Sequence, residues 1–386
     1  CDNELHLCKQ GRKRSIIFHN YFKMKKFSFM RNLIFLAIFS CILIFGESEF
    51  SFAQETTKNL KVAFIGDQGV TDDAVSVLEL ILFEGADIVL HQGDFDYFDD
   101  PDLWDAQINE ILGSDFPYFA SVGNHDVPAW TGYQEKLQNR LDKIPDAQCV
   151  GNLGVKSSCM YNGLFFILSG VGVFETEHAE YIQKQLDEND SIWSICSWHK
   201  NMKLMQVGGK HDETGWDVYE ECRKGGAIIA TGHEHIYSRT LTLSDIDSQI
   251  IYSDDPDTLQ VGNGYTFVFV NGLGGKSIRD AEDNLEKNPW WAKYSTSDNG
   301  ANYGALFCTF NVEMNSNKAI CYFKDISGNI IDEFTIMSTV DESSLIWPDW
   351  LLKVRSWLDK DLISHESFEE ILDYLLERKI ILSKSS

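Results

Sequence analysis

The chain reads as an α/β protein in which helices cover sheets on both faces, and three features predict it. Strand-length apolar runs recur from Leu60 onward, several are continuously apolar rather than alternating, and amphipathic helical stretches fall between them. A strand buried on both faces needs no polar side, so continuous runs separated by helices indicate sheets with helical cover.

The elements follow in order. Residues 61–65 form the first strand. Thr71 caps a helix whose apolar face is Ala74, Val75, Leu78, Ile81 and Leu82; Asp72 and Asp73 suit its positive end, and Gly85 terminates it. Further strands are expected at 87–91, 117–122, 164–169, 192–198 and 226–231, with a helix at 176–188. Residues 262–336 are dense in short β and turn patterns and are expected to complete a second sheet. There is no internal repeat and no low-complexity tract. Beyond these, Pro348 starts a short helix, and Phe368, Ile371, Leu372, Leu375 and Leu376 make an amphipathic one. Residues 339–386 therefore read as a small C-terminal helical appendage, with Trp347, Trp350 and Trp357 as packing residues.

Composition bounds the function. A chain of 386 residues, 44% hydrophobic, can bury a sizeable core. Lys25, Lys26 and Arg31 precede an apolar stretch at 33–46, and Ser51-Phe52-Ala53 offers a small-x-small cleavage site. That stretch is short for a bilayer span. Residues 24–53 are read as a secretory signal, the mature chain as secreted or extracytoplasmic without a stable membrane span, and 54–338 as the catalytic domain. Residues 1–53 carry 8 Lys or Arg and 4 Asp or Glu, so their removal takes the net charge from −26 to −30. Such a field opposes nucleic acid and anionic membranes, and an anionic substrate would need a local cluster of cations. Six of nine cysteines remain after cleavage. Proximity favours pairing Cys149 with Cys159 and Cys308 with Cys321, leaving Cys196 with Cys222. Oligomeric state has no signature in the sequence.

Chemistry collects where the strands end. The runs close in Gly66-Asp67-Gln68-Gly69, Gly93-Asp94-Phe95-Asp96-Tyr97, Gly123-Asn124-His125-Asp126, Ser197-Trp198-His199 and Gly232-His233-Glu234-His235. Carboxyl ends of strands in an open α/β sheet form one rim where ligands bind, so all five signatures should meet on one edge. Singly, Asp67 or Asp94 would read as a turn or cap, Asn124 as a turn, and His199 as a satisfied histidine. Together they supply two carboxylates, a phenol, an amide oxygen and three imidazoles, a set suited to hard metal ions. The acidic string 94–102 lacks the glycine and terminal glutamate of an EF-hand loop. His91 reads as a buried neighbour of the site, and His178, at a helix start, as surface.

With these motifs the sequence resembles the purple acid phosphatases among the calcineurin-like metallophosphoesterases: G-D-x-G, G-D-x-x-Y, G-N-H-D, a late strand ending in His, and G-H-x-H occur in the same order over about 58–338. The resemblance implies a two-sheet β-sandwich flanked by helices, an α/β/β/α architecture. It implies Fe(III) held by Asp67, Tyr97 and His235, a divalent ion (Fe, Zn or Mn) held by Asn124, His199 and His233, and Asp94 bridging both. Most of the wider superfamily begins D-x-H, whereas Gly69 stands at that histidine's place here, and Tyr97 takes over as a hard anionic donor suited to ferric iron. The implied reaction is hydrolysis of small phosphomonoesters by a metal-bound hydroxide, with His125 at the ester oxygen or leaving group. Family members often carry further histidines about ten residues after the one matching His199; here the stretch is WHKNMKLMQVGGKH, and His211 is the histidine offered. A phosphodiesterase or nucleotide hydrolase with the same metals, and a non-catalytic surface protein that binds metal or phosphate, are the alternative functions.

Overall fold

The computed structural model describes residues 59–340. The signal read at 24–53 and the appendage beyond residue 340 lie outside the described residues. In chain order the strands are β1 (Leu60–Ile65), β2 (Ile88–His91), β3 (Tyr118–Ala120), β4 (Gln148–Asn152), β5 (Lys156–Tyr161), β6 (Leu164–Ser169), β7 (Trp193–Ser197), β8 (Ile228–Thr231) and β9 (Tyr237–Thr240). They continue with β10 (Thr242–Asp245), β11 (Ile250–Ser253), β12 (Thr258–Val261), β13 (Val268–Asn271), β14 (Trp291–Ser295), β15 (Gly304–Phe310), β16 (Lys318–Asp325) and β17 (Ile330–Ser338). The α-helices are α1 (Asp72–Phe83), α2 (Pro101–Ile111), α3 (Trp130–Leu141), α4 (His178–Asp187) and α5 (Trp216–Lys224). None of the described helices is long and apolar enough to cross a membrane.

Two mixed sheets result, seven strands in the order β12-β17-β16-β15-β1-β2-β3 and eight in the order β14-β9-β13-β8-β7-β6-β5-β4. The sequence assigned residues 262–336 to one second sheet; they divide instead. Strands β13 and β14 join the eight-stranded sheet, whereas β15 runs antiparallel to β1, Val62 opposite Cys308, and brings β16 and β17 with it. β1 has β2 on one edge, so its other edge needed a partner, and β15 supplies it.

Alternation along β6 shows how the layers form. Phe166 and Leu168 enter the large core between the sheets, where Phe166 meets Phe119 of β3 edge to face at 4.7 Å and Phe64 of β1 meets Phe269 of β13 at 5.1 Å. Phe165 and Ile167 point the other way, to a second core with Ile182 of α4 and Val218 and Tyr219 of α5. This is why the run is apolar without interruption. Helices α1 and α3 pack on the seven-stranded sheet and α4 and α5 on the eight-stranded one, which gives the α/β/β/α sandwich.

Two local readings are corrected. The buried stripe of α1 is Ala74, Val77, Leu78 and Ile81, at the i, i+3, i+4, i+7 spacing of one helical face. Val75 and Leu82 lie off that stripe, and Leu82 is exposed. His178 is not a surface residue: the first turn of α4 faces inward, and the imidazole hydrogen-bonds Ser169 Oγ at 2.8 Å and Phe174 O at 2.7 Å. Thr71 caps α1 as expected, accepting from the Ala74 N–H at 3.1 Å. The three disulfides pair as proximity suggested: Cys149–Cys159 joins β4 to β5, Cys308–Cys321 joins β15 to β16, and Cys196–Cys222 ties β7 to α5.

Candidate metal centre

The five strand-end signatures come from both sheets. β1, β2 and β3 run parallel in one sheet and β7 and β8 parallel in the other, and the loops leaving their carboxyl ends meet across the top of the sandwich. The expected rim is thus shared by two sheets rather than being one edge. Backbone contacts join it: Asp67 N–H donates to Gly93 O at 3.0 Å, and Gly232 N–H to His199 O at 3.1 Å.

The loops are held in conformations that ordinary residues avoid. Asp67, Asp94, Tyr97 and His233 all adopt positive φ, from 56° to 70°. Each such residue costs about 1–3 kcal/mol, a strain that persists only where the surroundings enforce it. Glycine makes the close approaches possible: a Cβ on Gly123 would lie 2.2 Å from Asp94 N and Oδ1. Asp126 then fixes the loop after β2, its carboxylate accepting the N–H groups of Asp94 at 2.9 Å, Phe95 at 2.8 Å and Gly123 at 2.7 Å. Burial, and next the charge of Asp94, push the Asp126 carboxyl up to about 7.

Two clusters of donor atoms result. In one, Tyr97 Oη lies 2.9 Å from Asp67 Oδ1 and 3.3 Å from His235 Nε2, which is itself 3.1 Å from Asp67 Oδ1. In the other, His199 Nε2 lies 3.2 Å from Asp94 Oδ2 and 3.0 Å from His233 Nδ1, and donor atoms of these three residues all fall within 4.8 Å of one another. Asp67 links the clusters, because its Oδ2 accepts the His233 N–H at 2.8 Å. Asn124 Oδ1 is buried and has no hydrogen-bond partner. An acceptor stranded in this way calls for a cation or a donor.

Each imidazole is oriented from behind. His199 Nδ1 donates to Gln92 O at 2.7 Å, His233 Nε2 to Glu213 Oε2 at 2.6 Å, and His235 Nδ1 to Ser277 Oγ at 2.5 Å. These assignments leave His199 Nε2 facing Asp94, His235 Nε2 facing Asp67 and Tyr97, and His233 Nδ1 facing His199 Nε2, each with one ring nitrogen held from behind as in metal-ligating histidines. Charge agrees with it. Burial alone would raise Asp67 and Asp94, but His235 and His199 beside them hold both below the usual carboxylate range. Burial, then the cationic charge of His199 and Lys210, pushes His233 down to about 3. Burial also opposes charge on His199, yet Asp94 and Asp67 raise it to about 9. Burial, with Asp67 and Asp94, drives the Tyr97 phenol well above its ordinary range. Ionised carboxylates and a neutral His233 are a ligand-ready state, and the Tyr97 proton leaves only for a strong Lewis acid. The residues present therefore fit a metal centre.

The structure brings together Asp67, Asp94, Tyr97, His199, His233 and His235, and Asn124 lies in the loop after β3 whose Gly123 approaches Asp94. His125 is exposed at the mouth, its ring 4.6 Å from that of Tyr97 and its N–H donating to Asp94 Oδ1 at 2.9 Å. His211 is exposed, and its neighbour Lys210 is the residue whose side chain reaches His233. His91 is buried beside Gly93, as read from the sequence. Sequence reasoning assigned no role to Asp126, Glu213, Ser277, Lys210 or Lys276. Only Asp126 carried a signal, as the last letter of G-N-H-D; the others lie in loops without a motif.

Glu213 yields an expected result. Glu213→Gln removes the charged acceptor that sets the His233 tautomer, and metal affinity should fall about 10- to 100-fold with little change in melting temperature. Metal titration followed by calorimetry checks this, and unchanged affinity would show that His233 is oriented without Glu213.

Fold and candidate site together resemble those of the metallophosphoesterases. Residues 60–237 match the family of calcineurin-like phosphoesterases, and the chain is similar to purple acid phosphatases. The chain is 24% identical over 210 residues to purple acid phosphatase 21 of Arabidopsis thaliana, a match covering 50% of this chain and 47% of the relative. It thus spans about half the length of that curated relative. The purple acid phosphatase PPD1 from yellow lupin (Lupinus luteus) seeds has the same fold, with a TM-score of 0.54 at 19% identity over 72% of this chain and 53% of that one.

Proposed function

We propose that the protein is an exported phosphomonoesterase with an iron-containing binuclear centre. The observation that carries this reading is the pair of adjacent donor clusters joined by the buried Asp67 carboxylate, with Asn124 Oδ1 buried and unpartnered in the loop after β3. Asp67, Tyr97 and His235 would hold Fe(III); Asn124, His199 and His233 would hold a divalent ion, Fe, Zn or Mn; Asp94 would serve both. Two such ions bind phosphate oxygens, lower the pKa of water toward ~7 and stabilise the entering and leaving oxygens of an in-line displacement. The chain's own groups do the rest. Asp126 and the tight Gly93 and Gly123 turns hold Asp94 in place, Gln92, Glu213 and Ser277 orient the imidazoles, and exposed His125 is placed to bind the ester oxygen or give the leaving group its proton. Three disulfides support an oxidising, extracytoplasmic location. Residues 54–338 would be the catalytic domain, which truncation near residue 340 with turnover retained would test.

The first experiment is hydrolysis of an aryl phosphomonoester by residues 54–386 loaded with iron and a second divalent metal. Turnover should require metal and stop on chelation, and a ferric phenolate should give a visible charge-transfer band that Tyr97→Phe removes. Faster cleavage of an aryl diester would replace the monoesterase reading with the diesterase one. Folded, metal-loaded protein that cleaves neither would be a binding protein on this fold.

A further inference from the structure

We propose that Lys210 and Lys276 recognise a second negative group on the substrate, so that the preferred esters carry a carboxylate or further phosphate on the leaving group. This rests on the phosphatase reading above and deepens it. The chain has a net charge of −26, and most lysines of the described residues are matched with carboxylates, among them Lys200 with Glu213, Lys203 with Glu282, Lys224 with Glu221 and Lys324 with Glu84. Lys210 and Lys276 are in none of the ion pairs of the described residues. Both instead lie against the site. Lys210 Nζ stands 2.9 Å from His233 Nδ1 and 2.8 Å from its Nε2, and Lys276 Nζ lies 4.3 Å from the centre of the Tyr97 ring and 5.9 Å from that of exposed Phe98.

Their backbones are anchored where this placement needs them. Lys276 N–H donates to Asp67 O at 3.1 Å, and Lys210 O accepts from Gln206 Nε2 at 2.9 Å. Of the nearby carboxylates, Glu213 takes Lys200 on one oxygen and His233 on the other, and Glu234 takes Arg279 on Oε1 while its Oε2 is buried without a partner. An ammonium has only donors, and His233 Nδ1 cannot bond both Lys210 and a metal. Because His233 Nε2 is committed to Glu213, a metal on Nδ1 would leave Lys210 without an acceptor on this ring. One lysine beside His233 and one beside Tyr97 put cations at both donor clusters, in addition to those that neutralise the phosphoryl group itself. Lysine, a point charge on a flexible stem, suits an anionic group of variable reach better than it suits bidentate recognition.

The experiment compares matched esters on the loaded enzyme: phenyl phosphate against its meta- and para-carboxy derivatives. The expected result is a kcat/KM preference of about tenfold or more for a carboxylated ester, expressed mainly in KM and weakened by salt. Lys210→Met and Lys276→Met should each move that preference toward one, read as the ratio of kcat/KM for the two esters within each variant, and Lys143→Met, on the surface, should keep it. Calorimetric binding of the corresponding phosphonates, carboxylated and not, gives the same comparison without turnover. If neither ester is cleaved, the phosphatase reading fails, and the phosphonate preference and its loss in the lysine variants still decide the recognition. A wild type without preference, a preference unmoved in both variants, or equal losses on both esters would overturn the proposal.

Discussion

Asp94→Asn is expected to reduce kcat/KM for an aryl phosphomonoester by about 10³-fold or more, near 4 kcal/mol of transition-state stabilisation, with the fold intact. Asparagine tolerates the positive φ of 61° that the position demands and keeps an oxygen to accept the His125 N–H, so the loop should survive. The charge does not survive. Asp94 Oδ2 faces His199 at 3.2 Å and Oδ1 is bonded by the His125 N–H, so the carboxylate lies between the buried imidazole and the mouth of the site. A neutral amide cannot bridge two cations as a carboxylate does, so metal content should fall together with turnover. Elemental analysis of the purified variant alongside kinetics separates the two effects. Near-wild-type turnover with full metal content would remove Asp94 from the bridging role and undo the binuclear reading.

The candidate ligands were legible because strand ends carry them: a residue directly after an apolar run lies at a sheet's carboxyl edge whichever sheet the run joins. Asp67, Asp94, Asn124, His199 and His233 could therefore be placed without a topology. The partition of strands could not. That β15 pairs with β1 depends on which edge was left open more than 200 residues earlier, and short β patterns do not encode a partner. The groups that orient the ligands were mostly silent for a related reason. His199 rests on the backbone carbonyl of Gln92, which every residue type possesses, and Glu213 and Ser277 reach the site from loops with no periodicity. His178 was misplaced because a helix start exposes its backbone N–H groups, not necessarily its side chain; here Ser169 and Phe174 supply an interior polar niche.

The largest stability effect is expected at a residue no motif marks. Asp332 of β17 receives Arg239 Nε at 2.8 Å and Nη2 at 2.9 Å, together with Tyr237 Oη at 2.7 Å, so one buried carboxylate clamps the two sheets together. Arg239 also lies 4.0 Å from the centre of the Phe334 ring. Asp332→Ala leaves the guanidinium buried and uncompensated, a situation that costs about 3–5 kcal/mol. At about 2–4 °C per kcal/mol for a domain of this size, the melting temperature should drop by roughly 10 °C. Replacing both partners tells pair from packing: Arg239→Met with Asp332→Leu removes both charges and fills the space, and should recover most of the loss. Because Tyr237 and Arg239 follow directly on the G-H-E-H loop, Asp332→Ala should also loosen His233 and His235, weakening metal binding below the melting transition as well as lowering it. A single variant less than about 1 kcal/mol below wild type in urea unfolding would mean that water reaches Arg239 and that apolar packing, not this ion pair, holds the sheets in register.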